Sequence, residues 1–174
     1  MQINVAQLLK WPVGTTRIHP IDTDQPLHLD EELTVTLTGG RVRLDRIDSG
    51  ILARGDAEGT IVLECGRCVE PFTAPIRVHF EEEFAPSVEV HTGAPLPPPE
   101  DDLTFVIDGN HILDLSEALR QNILAGLPIQ PICSPTCAGL CQVCGGDRNL
   151  RPCTCVADQE GNQPLAALRS LLLN

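Results

Sequence analysis

Aromatic side chains are scarce in this chain: its 174 residues include four Phe, one Trp and no Tyr. Proteins that grip single-stranded nucleic acid stack its bases on aromatic rings, so that mode of binding is disfavoured. Lysine is scarcer still, Lys10 being the only one among twelve basic residues. Acidic residues outnumber basic ones 24 to 12, which leaves a net charge of −12. That sign disfavours independent, tight binding to a bare phosphate backbone. The charge is unevenly placed. Residues 1–120 carry all of the excess, and beyond them Asp147, Asp158 and Glu160 balance Arg148, Arg151 and Arg169. A basic protein partner fits such an acidic face better than naked RNA does. No run of about 18 apolar residues exists, which removes a membrane-spanning helix. The opening MQINVAQLLK has neither a basic n-region nor a long apolar run, so a cytoplasmic location is expected.

The length suits one domain, long enough to bury roughly two-thirds of its unfolded surface without a metal to hold it. The predicted class is α+β: an antiparallel β meander or small open barrel, packed by a mid-chain helix. Residues 1–131 form this core, with a Pro-rich loop at 86–102. Residues 132–174 form a cysteine-rich zinc segment and a C-terminal helix, clasped onto the core as one globular unit.

Periodicity places the elements. Asn4 caps a short helix that carries Val5, Leu8 and Leu9 and stops before Pro12. His19 and His28 read as surface-loop residues without a role. Leu33 to Thr38 alternates Leu33, Val35 and Leu37 against three threonines, a half-buried strand. Gly39-Gly40 reads as a hairpin turn, and Arg41 to Ile47 as the return strand. Ile51 to Arg54 and Thr60 to Glu64 read as two further strands around a Gly55 to Gly59 turn. Ile76 to Phe84 is another strand, and Glu81-Glu82-Glu83 its solvated end. Leu103 to Ile107 gives a short strand before the Asp108-Gly109-Asn110 turn. Asp114-Leu115-Ser116-Glu117 has the form of a capping box, with Asp114 as N-cap. The helix after it carries Leu115, Ala118, Leu119 and Ile123 on one face and stops at Gly126-Leu127-Pro128. Pro164 opens a final helix with Leu165, Leu168 and Leu172 on one face.

Arg41, Arg43 and Arg54 point outward on neighbouring strands. They are the candidate contact for RNA or an acidic partner, and cross-strand pairing with Asp45, Asp56 or Glu58 is the plainer reading.

The eight cysteines carry the chemistry. Six of them fall between Cys133 and Cys155, and Cys65 and Cys68 form a Cys-x-x-Cys far upstream. Without an export signal, clustered thiols point to metal rather than disulfides. A Cys-x-x-Cys lets two sulfurs reach one ion from a single turn, and a second arm closes the tetrahedron. Eight thiols therefore divide into two four-sulfur sites. One grouping joins Cys65 and Cys68 to Cys133 and Cys137, and joins Cys141 and Cys144 to Cys153 and Cys155. The competing grouping puts Cys133, Cys137, Cys141 and Cys144 on one ion. Two structural zinc ions are expected, with an iron–sulfur cluster as the alternative. A catalytic zinc keeps an open position, usually with His or a general base nearby, and the five histidines lie outside both arms. The Cys65-Gly66-Arg67-Cys68 turn is not followed by the helix that lowers a redox thiol's pKa.

Taken together, these stretches resemble the YceD-like family of large ribosomal RNA subunit accumulation proteins. They are Leu63-Glu64-Cys65-Gly66-Arg67-Cys68, Asp114-Leu115-Ser116-Glu117, Cys137-Ala138-Gly139-Leu140-Cys141-Gln142-Val143-Cys144-Gly145 and Cys153-Thr154-Cys155. Asn162-Gln163-Pro164 departs from an expected Asp-Pro-Arg. The resemblance implies a non-enzymatic factor in ribosome biogenesis that supports accumulation or processing of large-subunit ribosomal RNA. The implied partner is a ribosomal protein or a pre-ribosomal particle of the large subunit. A metal-dependent RNA-processing enzyme or a thiol-redox protein is the alternative.

Overall fold

The computed structural model describes residues 1–21, 26–99, 101 and 104–155. The helix expected from Pro164 and the Asn162-Gln163-Pro164 departure lie outside these residues. In chain order the elements are β1 (Gln2–Asn4), α1 (Ala6–Lys10), β2 (Thr16–Pro20), β3 (Leu27–His28), β4 (Thr34–Arg46), β5 (Ile51–Glu64), β6 (Pro71–Pro86), β7 (Phe105–Ile107), β8 (Ile112–Asp114) and α2 (Ser116–Gly126).

An open sheet runs in the order β2-β4-β5-β6-β7, with β3 also paired to β4. Its centre is the expected antiparallel meander, β4 to β5 to β6. It does not close into a barrel. β7 joins β6 in parallel, which the sequence reading did not anticipate. A parallel neighbour needs a crossover rather than a tight turn, and the Pro-rich stretch after Pro86 supplies it. Phe84 stacks on Phe105 across this pair, ring centroids 5.2 Å apart.

Two expected turns are absent. Gly39-Gly40 lies inside β4, where the register with β5 shifts between Leu37 and Gly39. Val35 and Leu37 are buried before the shift, Val42 and Leu44 after it. The odd-numbered face thus gives way to the even-numbered one, as a β-bulge requires. Gly40 is needed there, because a Cβ would stand 2.5 Å from the Asp56 carbonyl oxygen. Gly55 to Gly59 lies inside β5, which runs unbroken for 14 residues. Ile51, Ala53, Ala57, Ile61 and Leu63 all face the core in one continuous phase.

β5 and β6 pair without a register break from Ile51↔Phe84 to Glu64↔Pro71. This long hairpin is the frame of the molecule. α2 packs across β6 and buries Ala118, Leu119 and Ile123. Leu119 and Ile123 each contribute roughly 1.5–3 kcal/mol when fully removed from water. Of the run Glu81-Glu82-Glu83 only Glu81 is exposed: Glu82 faces the core side, half-buried, and accepts a hydrogen bond from Asn122 of α2 at 2.6 Å. The capping box forms only in part. Asp114 Oδ1 accepts the Ser116 N–H at 2.9 Å, but Glu117 turns outward to Arg120 and Gln121. Asp114 is also claimed by Gln2 and the Met1 amine, as β1 pairs with β8 in a second small sheet. Asn4 receives the Ala6 N–H at 3.1 Å, which starts α1. His19 and His28 lie on β2 and β3 rather than in loops, His19 half-buried and His28 exposed.

Candidate metal centres

The first centre begins with the strand phase of β5. Every second residue of β5 faces the core, and one more step of that alternation brings Cys65 inward, fully buried. The chain then turns tightly at the tip of the β5–β6 hairpin. Cys65 N donates to Glu70 O at 3.0 Å and Val69 N to Cys65 O at 2.8 Å. The turn places Val69 at φ 64, a left-handed conformation costly for a β-branched residue. Cys68 is thereby brought beside Cys65.

The second arm arrives from the end of α2. Residues 128–132 cross the hairpin tip, where Gly66 N donates to Pro131 O at 2.8 Å. Cys133 N then donates to Cys65 Sγ at 3.3 Å. Arg67 fastens the next stretch twice. Its guanidinium donates to Cys137 O at 3.1 Å, and its carbonyl accepts Leu140 N at 2.9 Å. Gly139, at φ 67, lets the chain pass so close; a Cβ there would stand 2.9 Å from the Arg67 carbonyl oxygen.

These contacts bring Cys65, Cys68, Cys133 and Cys137 together, and Cys141, Cys144, Cys153 and Cys155 form a second group; within each group the sulfurs lie within 4.8 Å of one another. The competing grouping of Cys133 and Cys137 with Cys141 and Cys144 is not formed. Four ligands at about 2.3 Å around one tetrahedral ion stand about 3.8 Å apart. Cys65 and Cys137 Sγ are 3.9 Å apart, and Cys68 and Cys133 Sγ 3.8 Å. A disulfide needs about 2.05 Å, and a cluster of several irons spreads its sulfurs wider than a single ion does. The thiol sets therefore fit one ion each.

The second group repeats the first turn. Gly145 N donates to Cys141 O at 2.8 Å, and Gly145 adopts φ 71. Val143 N points at Cys141 Sγ from 3.5 Å. Cys141 is buried, whereas Cys144 and Cys155 are exposed.

Each group mixes easy and difficult ionisation. Backbone donation from Cys133 N, with further amides of the turn, lowers the Cys65 thiol to about 6. Amides of Cys144 and Val143 lower Cys141 to about 6 in the same way. Cys133 is an exposed residue, but desolvation of its thiol on the side facing the other sulfurs, then the thiols of Cys137, Cys65 and Cys68, push it up to about 12. The thiols of Cys144 and Cys153 push Cys155 up to about 12. One thiolate forms readily in each group, and the crowded last thiol needs a cation to lose its proton.

The arginine stripe is mostly engaged. Asp45 accepts from Arg43 at 2.8 Å, from Arg54 at 2.7 Å and from Thr16 at 2.6 Å. Burial raises the Asp45 pKa, and these three donors outweigh it, holding the carboxyl at about 2. His79 pairs with Asp56. Arg41, Arg43 and Arg54 line one open groove of about 740 Å³ with Ile18, His79 and Asn122. Among the described residues Arg41 makes no ion pair. Sequence reasoning missed Arg67 and Asn149, which bind the cysteine segments together. Their places between cysteines were a signal, but residue type alone did not name their partners.

No helix among the described residues is long and apolar enough to cross a membrane. A family model described as large ribosomal RNA subunit accumulation protein YceD matches residues 53–172. An uncharacterized protein of Mycobacterium tuberculosis is 31% identical over 152 residues, covering 83% of this chain and 69% of the relative. A Mycobacterium leprae protein, also uncharacterized, is 29% identical over 125 residues, covering 70% and 55%. The Zea mays chloroplastic protein named large ribosomal RNA subunit accumulation protein YCED homolog 1 is 28% identical over 144 residues, covering 70% and 46%. No solved structure matches the chain. The matched stretch holds the β5–β6 hairpin, α2 and both cysteine groups, and on that evidence the chain belongs to the YceD family.

Proposed function

We propose that this protein is a non-enzymatic, zinc-binding factor of ribosome biogenesis that supports accumulation or processing of large-subunit ribosomal RNA. The observation that carries the reading is the family match across residues 53–172, which spans both cysteine groups. All eight cysteines would serve as ligands. Zinc is the ion of choice because four thiolates suit its tetrahedral, redox-inert chemistry. Each tetrad supplies four sulfurs, so neither leaves the open position that catalytic zinc uses. Thiols kept for metal suit a reducing compartment, which favours the cytoplasm.

The partner is a protein of the large subunit or its precursor particle. Net charge of −12 favours a basic ribosomal protein, and two four-thiolate zinc sites deepen the negative charge. Arg41 and its neighbours Arg43 and Arg54 would give local contacts within that surface, with the last two weakened by their commitment to Asp45. Residues 132–155 would work as a clasp on the sheet rather than as a separate finger. Crosslinking and pull-down of the tagged chain from growing cells tests the reading. Large-subunit proteins or precursor ribosomal RNA should be recovered; a pull-down that recovers neither overturns it.

A further inference from the structure

Cys137 of the first group and Cys141 of the second bracket the short stretch Ala138-Gly139-Leu140. A third piece of chain lies against this stretch. Residues 147–149 belong to the loop between Cys144 and Cys153, so both anchors of that loop are cysteines of the second group. Its contacts reach back to the first. Arg148 N donates to Gly139 O at 3.0 Å. Asn149 Oδ1 accepts Ala138 N at 2.8 Å, which settles which end of the amide is the oxygen. The Asn149 Nδ2 then donates to Cys137 Sγ at 3.4 Å and to Asp147 Oδ1 at 2.7 Å. Asp147 Oδ1 also accepts the Asn149 N–H at 2.8 Å, and Leu140 bridges to Asp147. A sulfur of one group thus receives its hydrogen bond from a residue held by the other.

We propose that Asn149 couples the two groups, so that a metal ion in one raises the affinity of the other. The proposal rests on reading both groups as metal sites. An ion held by Cys144 and Cys153 closes the loop of residues 145–152 and prepays the ordering of Asn149. The positioned Nδ2–H then draws charge from the Cys137 thiolate and steadies an ion in the first group. Linkage makes the effect reciprocal: an ion that fixes Cys137 favours the loop conformation the second group needs. Asn149 is a positioning residue, since it touches a ligand and not the ion. Loss of such an outer partner typically costs 10–100-fold in metal affinity.

The experiment is native mass spectrometry of the full-length, reduced, metal-free chain with one equivalent of zinc added. Coupled sites favour the empty and two-ion forms over the one-ion form. With about tenfold coupling between sites of like intrinsic affinity, the one-ion form of the wild type should be about half as abundant as that of Asn149→Ala. Asn149→Asp keeps the oxygen for Ala138 N but replaces the donor to sulfur with a carboxylate. It should behave like Asn149→Ala, or load less zinc, although the backbone contact is retained. In a Cys153→Ser/Cys155→Ser background, Asn149→Ala should lower the zinc affinity of the remaining site by clearly less than it does in the intact chain. Equal one-ion abundance in wild type and Asn149→Ala, with two ions bound at saturation, overturns the coupling and leaves the metal reading intact. A wild-type chain that takes up no zinc overturns both.

Discussion

The two cysteine groups use the same turn in different surroundings. In each, the residue after a Cys-x-x-Cys has a left-handed backbone and donates its N–H to the first cysteine's carbonyl at 2.8 Å. The first group is part of the core edge: Cys65, Cys68 and Cys137 are 0%, 4% and 6% exposed, and only Cys133 faces outward. It joins a hairpin tip to a segment more than sixty residues later. The second group closes a local loop, and Cys144 and Cys155 are exposed. Like ligand chemistry therefore implies unlike contributions to stability. An ion at the first group would bind the last part of the chain to the sheet, while one at the second would order its own loop and reach the first group only through that loop's contacts with Ala138, Gly139 and Cys137.

The largest expected effect comes from breaking the first group alone. Cys65→Ser should cost about 4 kcal/mol or more and lower the melting temperature steeply. Cys155→Ser should lose one ion with little change in melting. Equal melting of these two variants would erase the distinction between the groups. Next is the junction between them. Gly139→Val should cost about 2–3 kcal/mol, because a side chain at φ 67 meets the Arg67 carbonyl and the conformation itself is strained; denaturant unfolding checks this.

Acid separates the sheet from the metal groups. Asp45 titrates at about 2 in the fold, below its ordinary value of 3.8. Its contribution is therefore complete above about pH 4 and is lost as the pH falls toward 2. Asp45→Asn should remove about 1–2 kcal/mol at neutral pH, since Arg43 and Arg54 are half-exposed. Acid unfolding of metal-free wild type against this variant reads the contribution without interference from thiol protonation. The smallest effect is at the two turns. Val69→Gly should stabilise the first by about 1 kcal/mol, and Gly145→Val should destabilise the second by a similar amount. Thermal melting of the pair compares them directly.

The sequence made the metal groups more legible than the sheet. Ligand counting separates eight thiols into two fours, and Cys-x-x-Cys spacing identifies the arms, because coordination chemistry restricts both. Strand ends were harder. Glycines at 39, 40, 55 and 59 suggested turns, yet the inward phase from Ile51 to Cys65 never breaks, and that was the better signal for one strand. In β4 the phase does change, which fits a bulge as well as a turn; only pairing with β5 decides between them. The parallel β7 edge and the β1–β8 pair depend on contacts far apart in sequence, which local periodicity does not encode. Asn149 was missed for the same reason. Its value lies in reaching Cys137, twelve residues back, across a fold in the chain.

Metal content tests the central claim most directly. Elemental analysis of the protein purified without chelators should return close to two zinc ions per chain, and close to one for Cys155→Ser. Less than one ion per intact chain would contradict the account, as would an undiminished count in the variant.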